Sequence, residues 1–245
     1  MTFYHALTPY YDVLFPANEK QLRYISSYYA EGSSLLDMGA GTGNIAYSLA
    51  EAGYNVTAAE PEAAMCARIR AKAEQCGRLT AISTSMLELD QLTDHYDGIY
   101  CVGNTLAHLQ DKKEIRQFLQ QAHGKLRAHG TLLIQVVNYD NVLAGNNFTF
   151  PVIRNEHVTF ARSYEVVDDR VLFTTTLTAN GQAESSSIPL FPVTYNQLVL
   201  MLEQCGFCRI EAYSNFEKAP YASDASALIL AAHKYLGHDD PNSIS

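Results

Sequence analysis

Three glycines that alternate with small residues follow an acidic residue in the segment Asp37-Met38-Gly39-Ala40-Gly41-Thr42-Gly43. Glycine lets the backbone adopt positive φ and approach a ligand closely. The apolar residues before Asp37 predict a strand, and the run from Asn44 to Ala50 predicts a helix. The N–H groups at the start of that helix favour a negatively charged group. Together, the strand, glycine turn and helix predict a nucleotide-type cofactor site at the carboxyl edge of a parallel sheet.

A second acid, Glu60, ends the next predicted strand and lies 23 residues after Asp37. Doubly wound nucleotide-binding folds place a carboxylate at about this spacing on the ribose hydroxyls. An ionised carboxylate accepts hydrogen bonds from both hydroxyls. Pro61 suits the first turn of the helix that follows. A solvated charge at a strand end is the alternative role for Glu60, and beside the glycine turn we favour ribose binding.

The spacing of the glycines distinguishes two classes of cofactor. The dinucleotide fingerprint G-x-G-x-x-G needs a glycine where this chain has Asn44. The segment D-M-G-A-G-T-G instead resembles motif I of the class I S-adenosylmethionine-dependent methyltransferases, (D/E)-x-G-x-G-x-G. The resemblance implies S-adenosyl-L-methionine as cofactor and direct displacement of its methyl group by an acceptor. A nicotinamide-dependent oxidoreductase and a catalytically silent S-adenosylmethionine-binding partner subunit stay open as alternatives.

The ends of the fourth and fifth predicted strands sharpen this resemblance. The segments C-V-G-N-T-L-A-H-L (101–109) and N-Y-D-N-V-L (138–143) are similar to the corresponding segments of glycine and sarcosine N-methyltransferases. Those enzymes carry an arginine just before N-Y-D that holds the substrate carboxylate, where this chain has Val137. The resemblance therefore implies a small-molecule methyltransferase whose acceptor is an amine or hydroxyl compound other than glycine.

The cofactor residues come partly from the motifs and partly from the resemblance. Ser85 aligns with a family aspartate that accepts from the adenine amino group, and backbone groups near Met86 are expected to assist. Tyr11 resembles a tyrosine that folds over the methionyl part of the cofactor, where its ring suits the sulfonium charge. The expected set is Tyr11, Asp37, Gly39, Ala40, Gly41, Asn44, Glu60, Pro61, Ser85, Met86, Val102 and Gly103.

Two catalytic candidates follow the fourth strand. His108 is the natural general base for an oxygen nucleophile, and an ordinary polar helix position is the equally weighted alternative. Asn104 is expected to orient substrate or cofactor through its amide. Asn138 is a weaker candidate for the same task, with a loop-turn role as its alternative. Arg154 and Arg162 could bind a substrate carboxylate, but we favour solvated strand positions for both.

The elements that must position these residues have the pattern of an α/β fold. Five strands alternate with helices over residues 34–138, and two further strands are expected near 207–213 and 226–233. Together they predict a doubly wound, mostly parallel, seven-stranded sheet. Alternating residues after the fifth strand predict an antiparallel β insertion, with turns near Asp168-Asp169 and Asn180-Gly181. This insertion resembles the substrate cover of small-molecule methyltransferases. The expected division is a core of 1–149 and 192–236 with an N-terminal helical cover at 1–31, an insertion at 150–191 and a flexible tail at 237–245.

Composition restricts the partners. The 245 residues include 26 acidic and 17 basic side chains, a net charge of -9 that disfavours nucleic acid and leaves a small molecule as substrate. No signal-like N-terminus and no apolar run of membrane-spanning length is present, so we expect a cytoplasmic protein without membrane contact. Exposed strand edges of the insertion are compatible with a homodimer.

Cysteine chemistry is not expected. The five cysteines form no disulfide framework, and the pair Cys205-x-x-Cys208 follows a predicted helix rather than preceding one. No further ligands at suitable spacing accompany the pair, so no metal site is predicted.

Overall fold

The computed structural model describes residues 7–145 and 150–235. Its main sheet has seven strands: β1 (Ser34–Met38), β2 (Asn55–Ala59), β3 (Leu79–Ile82), β4 (Tyr96–Cys101), β5 (Leu126–Val137), β10 (Cys208–Tyr213) and β11 (Ala227–His233). Their order is β10-β11-β5-β4-β1-β2-β3. The pairs β10–β11 and β11–β5 are antiparallel, and the other four neighbouring pairs are parallel. The predicted seven-stranded, mostly parallel sheet is confirmed.

Helices cover both faces of this sheet because its strands are apolar on both sides. Leu35 of β1 belongs to one core cluster, whereas its neighbour Leu36 belongs to the other. The cluster that contains Leu35 packs against three helices: α2 (Glu19–Ser26), α3 (Asn44–Glu51) and α4 (Ala63–Ala73). The cluster that contains Leu36 packs against α5 (Lys112–Lys125) and α7 (Tyr195–Gln204). The short helices are α1 (Tyr11–Leu14) and α6 (Tyr139–Leu143), with 3-10 turns at Thr8–Tyr10, Leu89–Gln91 and Thr105–His108.

Helix α5 shows how local sequence sets an element boundary. Asp111 caps it by accepting hydrogen bonds from the backbone of Lys113 and Glu114, each at 2.8 Å, as an N-cap carboxylate does. Its apolar stripe of Ile115, Phe118, Leu119 and Ala122 is buried. The helix ends at Lys125, and Leu126 begins β5.

A second, antiparallel sheet follows β5 and α6. It comprises β6 (Ile153–Arg154), β7 (Val158–Val167), β8 (Arg170–Ala179) and β9 (Gln182–Leu190), in that order. The two hairpin turns lie at the predicted dipeptides, where Asp168, Asn180 and Gly181 adopt positive φ. The predicted antiparallel insertion is confirmed as an architecture, and its boundaries stay a prediction.

The N-terminal segment packs on this second sheet. Leu7 and Leu14 form a buried cluster with Val158, Phe160 and Leu177. Residues 1–6 and the predicted tail at 237–245 lie outside the described residues, which end at 235. In the described part of the chain, no helix is long and apolar enough to cross a membrane.

Candidate functional site

Two adjoining cavities lie beyond the carboxyl ends of β1, β2, β4 and β5, one of about 620 Å³ and one of about 420 Å³. Both are in the size range of small-molecule sites. They share walls at five residues, Tyr11, Gly39, Gly103, Thr105 and His108. Each residue expected in the site lines one or both cavities: Tyr11, Asp37, Gly39, Ala40, Gly41, Asn44, Glu60, Pro61, Ser85, Met86, Val102, Gly103, Asn104 and His108.

The glycine turn has the backbone that its sequence requires. Gly39, Gly41 and Gly43 have φ values of 73°, 59° and 78°, which side chains rarely adopt. A Cβ on Gly39 would overlap the Thr105 side chain, and one on Gly41 would lie 3.0 Å from the Tyr11 ring. Glycine is thus needed at both positions for conformation and for space.

Glu60 connects the end of β2 to this turn. One carboxylate oxygen accepts from the Gly41 N–H and the other from the Glu62 N–H, each at 2.9 Å. The side chain is only 7% exposed, and burial raises its pKa, although both backbone hydrogen bonds act in the opposite direction. Because each oxygen keeps a further lone pair, the carboxylate can still accept hydrogen bonds from a ligand in the smaller cavity.

Asp37 is the more deeply buried acid, at 2% exposure. Burial raises the pKa of its carboxyl to about 8, and the nearby Glu60 acts in the same direction. Asp37 therefore holds a proton near neutral pH in the absence of a cation. A positively charged ligand group beside it would favour the ionised form.

The N-terminal segment is tied to the glycine turn by polar contacts that the sequence analysis missed. Asp12 accepts a hydrogen bond from Thr42 at 2.5 Å and pairs with Arg68 at 3.0 Å and Lys72 at 3.3 Å. The Asn44 amide donates to the Phe15 carbonyl at 2.8 Å and accepts from Lys72 at 2.6 Å. These contacts hold Tyr11 over Gly41, where its ring separates the two cavities. The acid at Asp12 was visible in the sequence, but its partners were not.

The far end of the smaller cavity is formed after β3. Thr84, Ser85, Met86 and Leu87 line it together with Met65 of α4. The Ser85 hydroxyl accepts from the Leu87 N–H at 3.3 Å. Two hydroxyl side chains and three apolar side chains therefore form this end of the cavity.

His108 lies in the wall shared by the two cavities, and Asn104 lines the larger one. The Asn104 amide donates to the hydroxyls of Tyr139 and Tyr164 at 3.0 and 3.2 Å, and its oxygen accepts from the Val137 N–H at 3.0 Å. Asn104 therefore links the ends of β4 and β5 to the second sheet. Burial lowers the pKa of His108 to about 4, so its imidazole is neutral near neutral pH.

Asn138 does not line either cavity. Its amide donates to the carbonyls of Ala222, Ser223 and Ala225 at 2.9–3.2 Å. These contacts fix the segment before β11. They agree with the loop role that we gave as the alternative for Asn138.

Arg162 corrects one expectation. We favoured a solvated strand position for it, and the structure places it on the inner face of β7, where it lines the larger cavity. Arg154 is exposed, as expected. The sequence did contain an indication of this position. Arg162 alternates in step with Phe160 and Tyr164, so all three side chains are expected on the same face of the strand. Other lining residues that the sequence analysis missed are Thr105, Gln135, Phe150, Phe173 and Thr175.

The cysteine pair is remote from these cavities. Cys205 lies at the end of α7, and its Sγ lies 3.8 Å from the Arg116 carbonyl. Burial raises the pKa of its thiol, which disfavours the reactive thiolate. Within residues 7–145 and 150–235, no group of three or more His, Cys, Asp or Glu side chains could hold a metal ion.

Comparisons with known proteins point to one family. A family described as "Methyltransferase domain" matches residues 35–130, which include the glycine turn and Glu60. The glycine/sarcosine N-methyltransferase of Halorhodospira halochloris is 26% identical over 221 residues, covering 84% of this chain and 77% of that protein.

Solved methyltransferases share the fold. The CcbJ methyltransferase of Streptomyces caelestis superposes with a TM-score of 0.78 at 20% identity, covering 91% of this chain and 92% of that one. The sugar N-methyltransferase KedS8 of Streptoalloteichus sp ATCC 53650 gives 0.68 at 17% identity, covering 89% and 86%. The family match, the sequence relative and the shared fold all favour a methyltransferase over the nicotinamide alternative, and the cofactor is S-adenosylmethionine. The domain match, the sequence relative and the shared fold together support a class I S-adenosylmethionine-dependent methyltransferase.

Proposed function

We propose that this methyltransferase acts on a small-molecule acceptor, an amine in preference to a hydroxyl compound. The observation that carries the proposal is the larger cavity of about 620 Å³, which meets the cofactor side at Gly103 and His108. The second sheet and the N-terminal segment wall this cavity, which suits a compact ligand. An acceptor there would be shielded from water during the displacement.

The residues of the smaller cavity fit the cofactor. Bound S-adenosylmethionine supplies an electrophilic methyl group on a sulfonium sulfur. Glu60 is proposed to hold the ribose hydroxyls, and Ser85 and Met86 the adenine. Asp37, which lines the adjoining larger cavity, is proposed to hold the methionyl end together with the turn at Gly39 and Gly41. An added Cβ at Gly103 would meet no atom within 4 Å, so the backbone there leaves room for a ligand.

Direct displacement requires alignment more than proton transfer. Orientation alone can supply roughly 7–11 kcal/mol of a barrier. We propose Asn104 as a positioning residue, because it fixes Tyr139, Tyr164 and the end of β5 around the cavity. Tyr11 is proposed to cover the sulfonium, whose charge suits an aromatic face.

The chemistry of His108 favours an amine acceptor. An oxygen nucleophile benefits from a base whose pKa lies near the working pH. Burial lowers the pKa of His108 to about 4, which makes it a weak base. An amine needs only to arrive neutral. The names of the relatives agree with this preference, since one is a glycine/sarcosine N-methyltransferase and another a sugar N-methyltransferase.

Two features restrict the class of acceptor. Val137 lines the larger cavity at the position where the resemblance implies an arginine, which argues against glycine itself. The net charge of -9 opposes binding of a phosphate backbone, which argues against tRNA or rRNA.

The test is turnover of S-adenosylmethionine to S-adenosylhomocysteine with defined acceptor pools, measured by mass spectrometry. We expect product with a deproteinised metabolite extract and with a panel of small amines, and little or none with glycine. The Glu60→Ala variant serves as the control for cofactor-dependent turnover. Methylation of tRNA or ribosomal RNA with none on the metabolite pools would overturn the proposal. Cofactor binding without turnover on any pool would favour the silent partner subunit.

A further inference from the structure

Arg162 is the feature of the larger cavity that a methyl transfer alone does not explain. It lies on β7 between Phe160 and Tyr164 on the face that lines the cavity, and Thr175 lies opposite it in the β7–β8 register. Thr175 lines the cavity as well. A cation is thus held inside a cavity that is otherwise walled largely by aromatic and aliphatic side chains.

The guanidinium has no polar partner among the residues that the structure describes. It makes no hydrogen bond and no ion pair there, and its Nε is buried without an acceptor. It packs instead on two rings, with its Cζ 4.6 Å from the centroid of Phe150 and 5.6 Å from that of Phe160. Arginine stays protonated when buried, and a buried charge without a partner is unfavourable. Such an arrangement is suited to an anion that arrives with the ligand.

The surroundings of Arg162 restrict the class of that anion. Arg162 supplies the single arginine or lysine among the described residues that line this cavity. One planar guanidinium matches one planar carboxylate, which it can bind through two parallel hydrogen bonds. A phosphate dianion would need further donors or cations. The same cavity is lined by Val137, Phe150, Ile153 and Phe173, which offer contact to an apolar body rather than to a polyol.

We propose that Arg162 binds the carboxylate of the methyl acceptor, and that the acceptor is a monocarboxylate with an apolar, aromatic-sized body. This inference rests on the proposed small-molecule function and adds the chemical class of the substrate. Arg162 thereby sets specificity from the second sheet, and Arg154, exposed on β6 of the same sheet, provides a matched arginine outside the cavity.

The test measures binding without turnover, so it does not depend on finding the acceptor. Protein saturated with S-adenosylhomocysteine is titrated calorimetrically with 3-phenylpropanoate and with the neutral 3-phenylpropan-1-ol. We expect the carboxylate to bind the wild type at least roughly tenfold more tightly than it binds Arg162→Gln, because two charge-assisted hydrogen bonds are lost. The alcohol should bind both proteins alike, and Arg154→Gln should behave as the wild type.

Controls separate the outcomes. Unchanged S-adenosylhomocysteine affinity and thermal midpoint in Arg162→Gln would show that the fold is intact, and Arg162→Lys should restore part of the carboxylate affinity. Equal carboxylate binding to wild type and Arg162→Gln would overturn the proposal and leave Arg162 as a packing residue on Phe150 and Phe160. Failure of the carboxylate to bind the wild type at millimolar concentration would overturn it as well. Failure of the proposed function can be told apart from failure of this inference. In that case no amine in the turnover assay is methylated, while carboxylate binding still depends on Arg162.

Discussion

Replacement of Glu60 by alanine provides the sharpest test of the cofactor assignment. In the protein, the two carboxylate oxygens accept from the Gly41 and Glu62 N–H groups at 2.9 Å. Each keeps a lone pair for a ribose hydroxyl. A hydrogen bond to a charged acceptor contributes about 1.5–3 kcal/mol, so loss of two ribose contacts should weaken S-adenosylhomocysteine binding at least roughly tenfold.

The same substitution also leaves two backbone donors without their acceptor, which costs about 1–3 kcal/mol for each buried group. A weaker affinity in Glu60→Ala could therefore arise from a disturbed glycine turn. A thermodynamic cycle separates the two effects. S-adenosylhomocysteine and its 2′-deoxy and 3′-deoxy analogues are titrated into the wild type, Glu60→Ala and the control Glu51→Ala, which changes an exposed glutamate on α3.

We expect each missing hydroxyl to reduce the affinity of the wild type and of Glu51→Ala by roughly tenfold, and to have little further effect in Glu60→Ala. An equal penalty for the deoxy analogues in wild type and Glu60→Ala would refute the ribose assignment. This conclusion would hold even if Glu60→Ala bound S-adenosylhomocysteine poorly, because the loss of affinity would then be due to a disturbed glycine turn.

Three further predictions concern the neighbouring residues. Gly41→Val should abolish calorimetric cofactor binding, because its side chain would need positive φ and would meet the Tyr11 ring; Gly77→Val, at a position with open space, should bind normally. Asp37 has a pKa raised to about 8 by burial, so the folded state binds one more proton than the unfolded state between about pH 4 and that value. The urea-unfolding free energy of the apoprotein should thus fall with rising pH by on the order of 1 kcal/mol per unit, and Asp37→Asn should remove this slope. His108→Gln should lower kcat on an amine by less than about tenfold, whereas a hydroxyl acceptor that needs a base would lose roughly 10²–10⁴.

Each of these has an outcome that contradicts it. Normal binding by a folded Gly41→Val would remove the motif I assignment. An Asp37→Asn protein with the same pH slope as the wild type would show that Asp37 is already ionised. A pH profile of kcat with a limb near neutral pH that disappears in His108→Gln would show that His108 acts as a base.

Local sequence predicted the parts of the site that depend on backbone conformation. The turn at Gly39 and Gly41 must have positive φ and close approach, and only glycine supplies both without strain. The carboxylate at Glu60 follows a short strand whose parallel pairing fixes where it ends. Strand ends of a parallel sheet meet at one edge, so the residues predicted there from separate segments were brought together.

The contacts that cross between elements could not be predicted in this way. Nothing near Asp12 in the sequence indicates Thr42, Arg68 or Lys72 as its partners, because these lie 30 to 60 residues away. The same holds for Asn104, whose amide was expected on a ligand and is bound to two tyrosines. Arg162 is different. The alternation along its strand indicated the face on which it lies, and only its charge favoured a position in solvent.

The two cavities are built from different parts of the chain. The walls of the smaller cavity come mostly from strand ends and turns of the main sheet, where a change disturbs the core. Much of the wall of the larger cavity comes from β7, β8 and the N-terminal segment, which share a separate apolar cluster around Leu14 and Phe160. Side chains on the inner face of β7 can therefore change while the cofactor site is retained. A solved methyltransferase shares this fold with a TM-score of 0.78 at only 20% identity. We propose that the second sheet is the place where acceptor specificity is set.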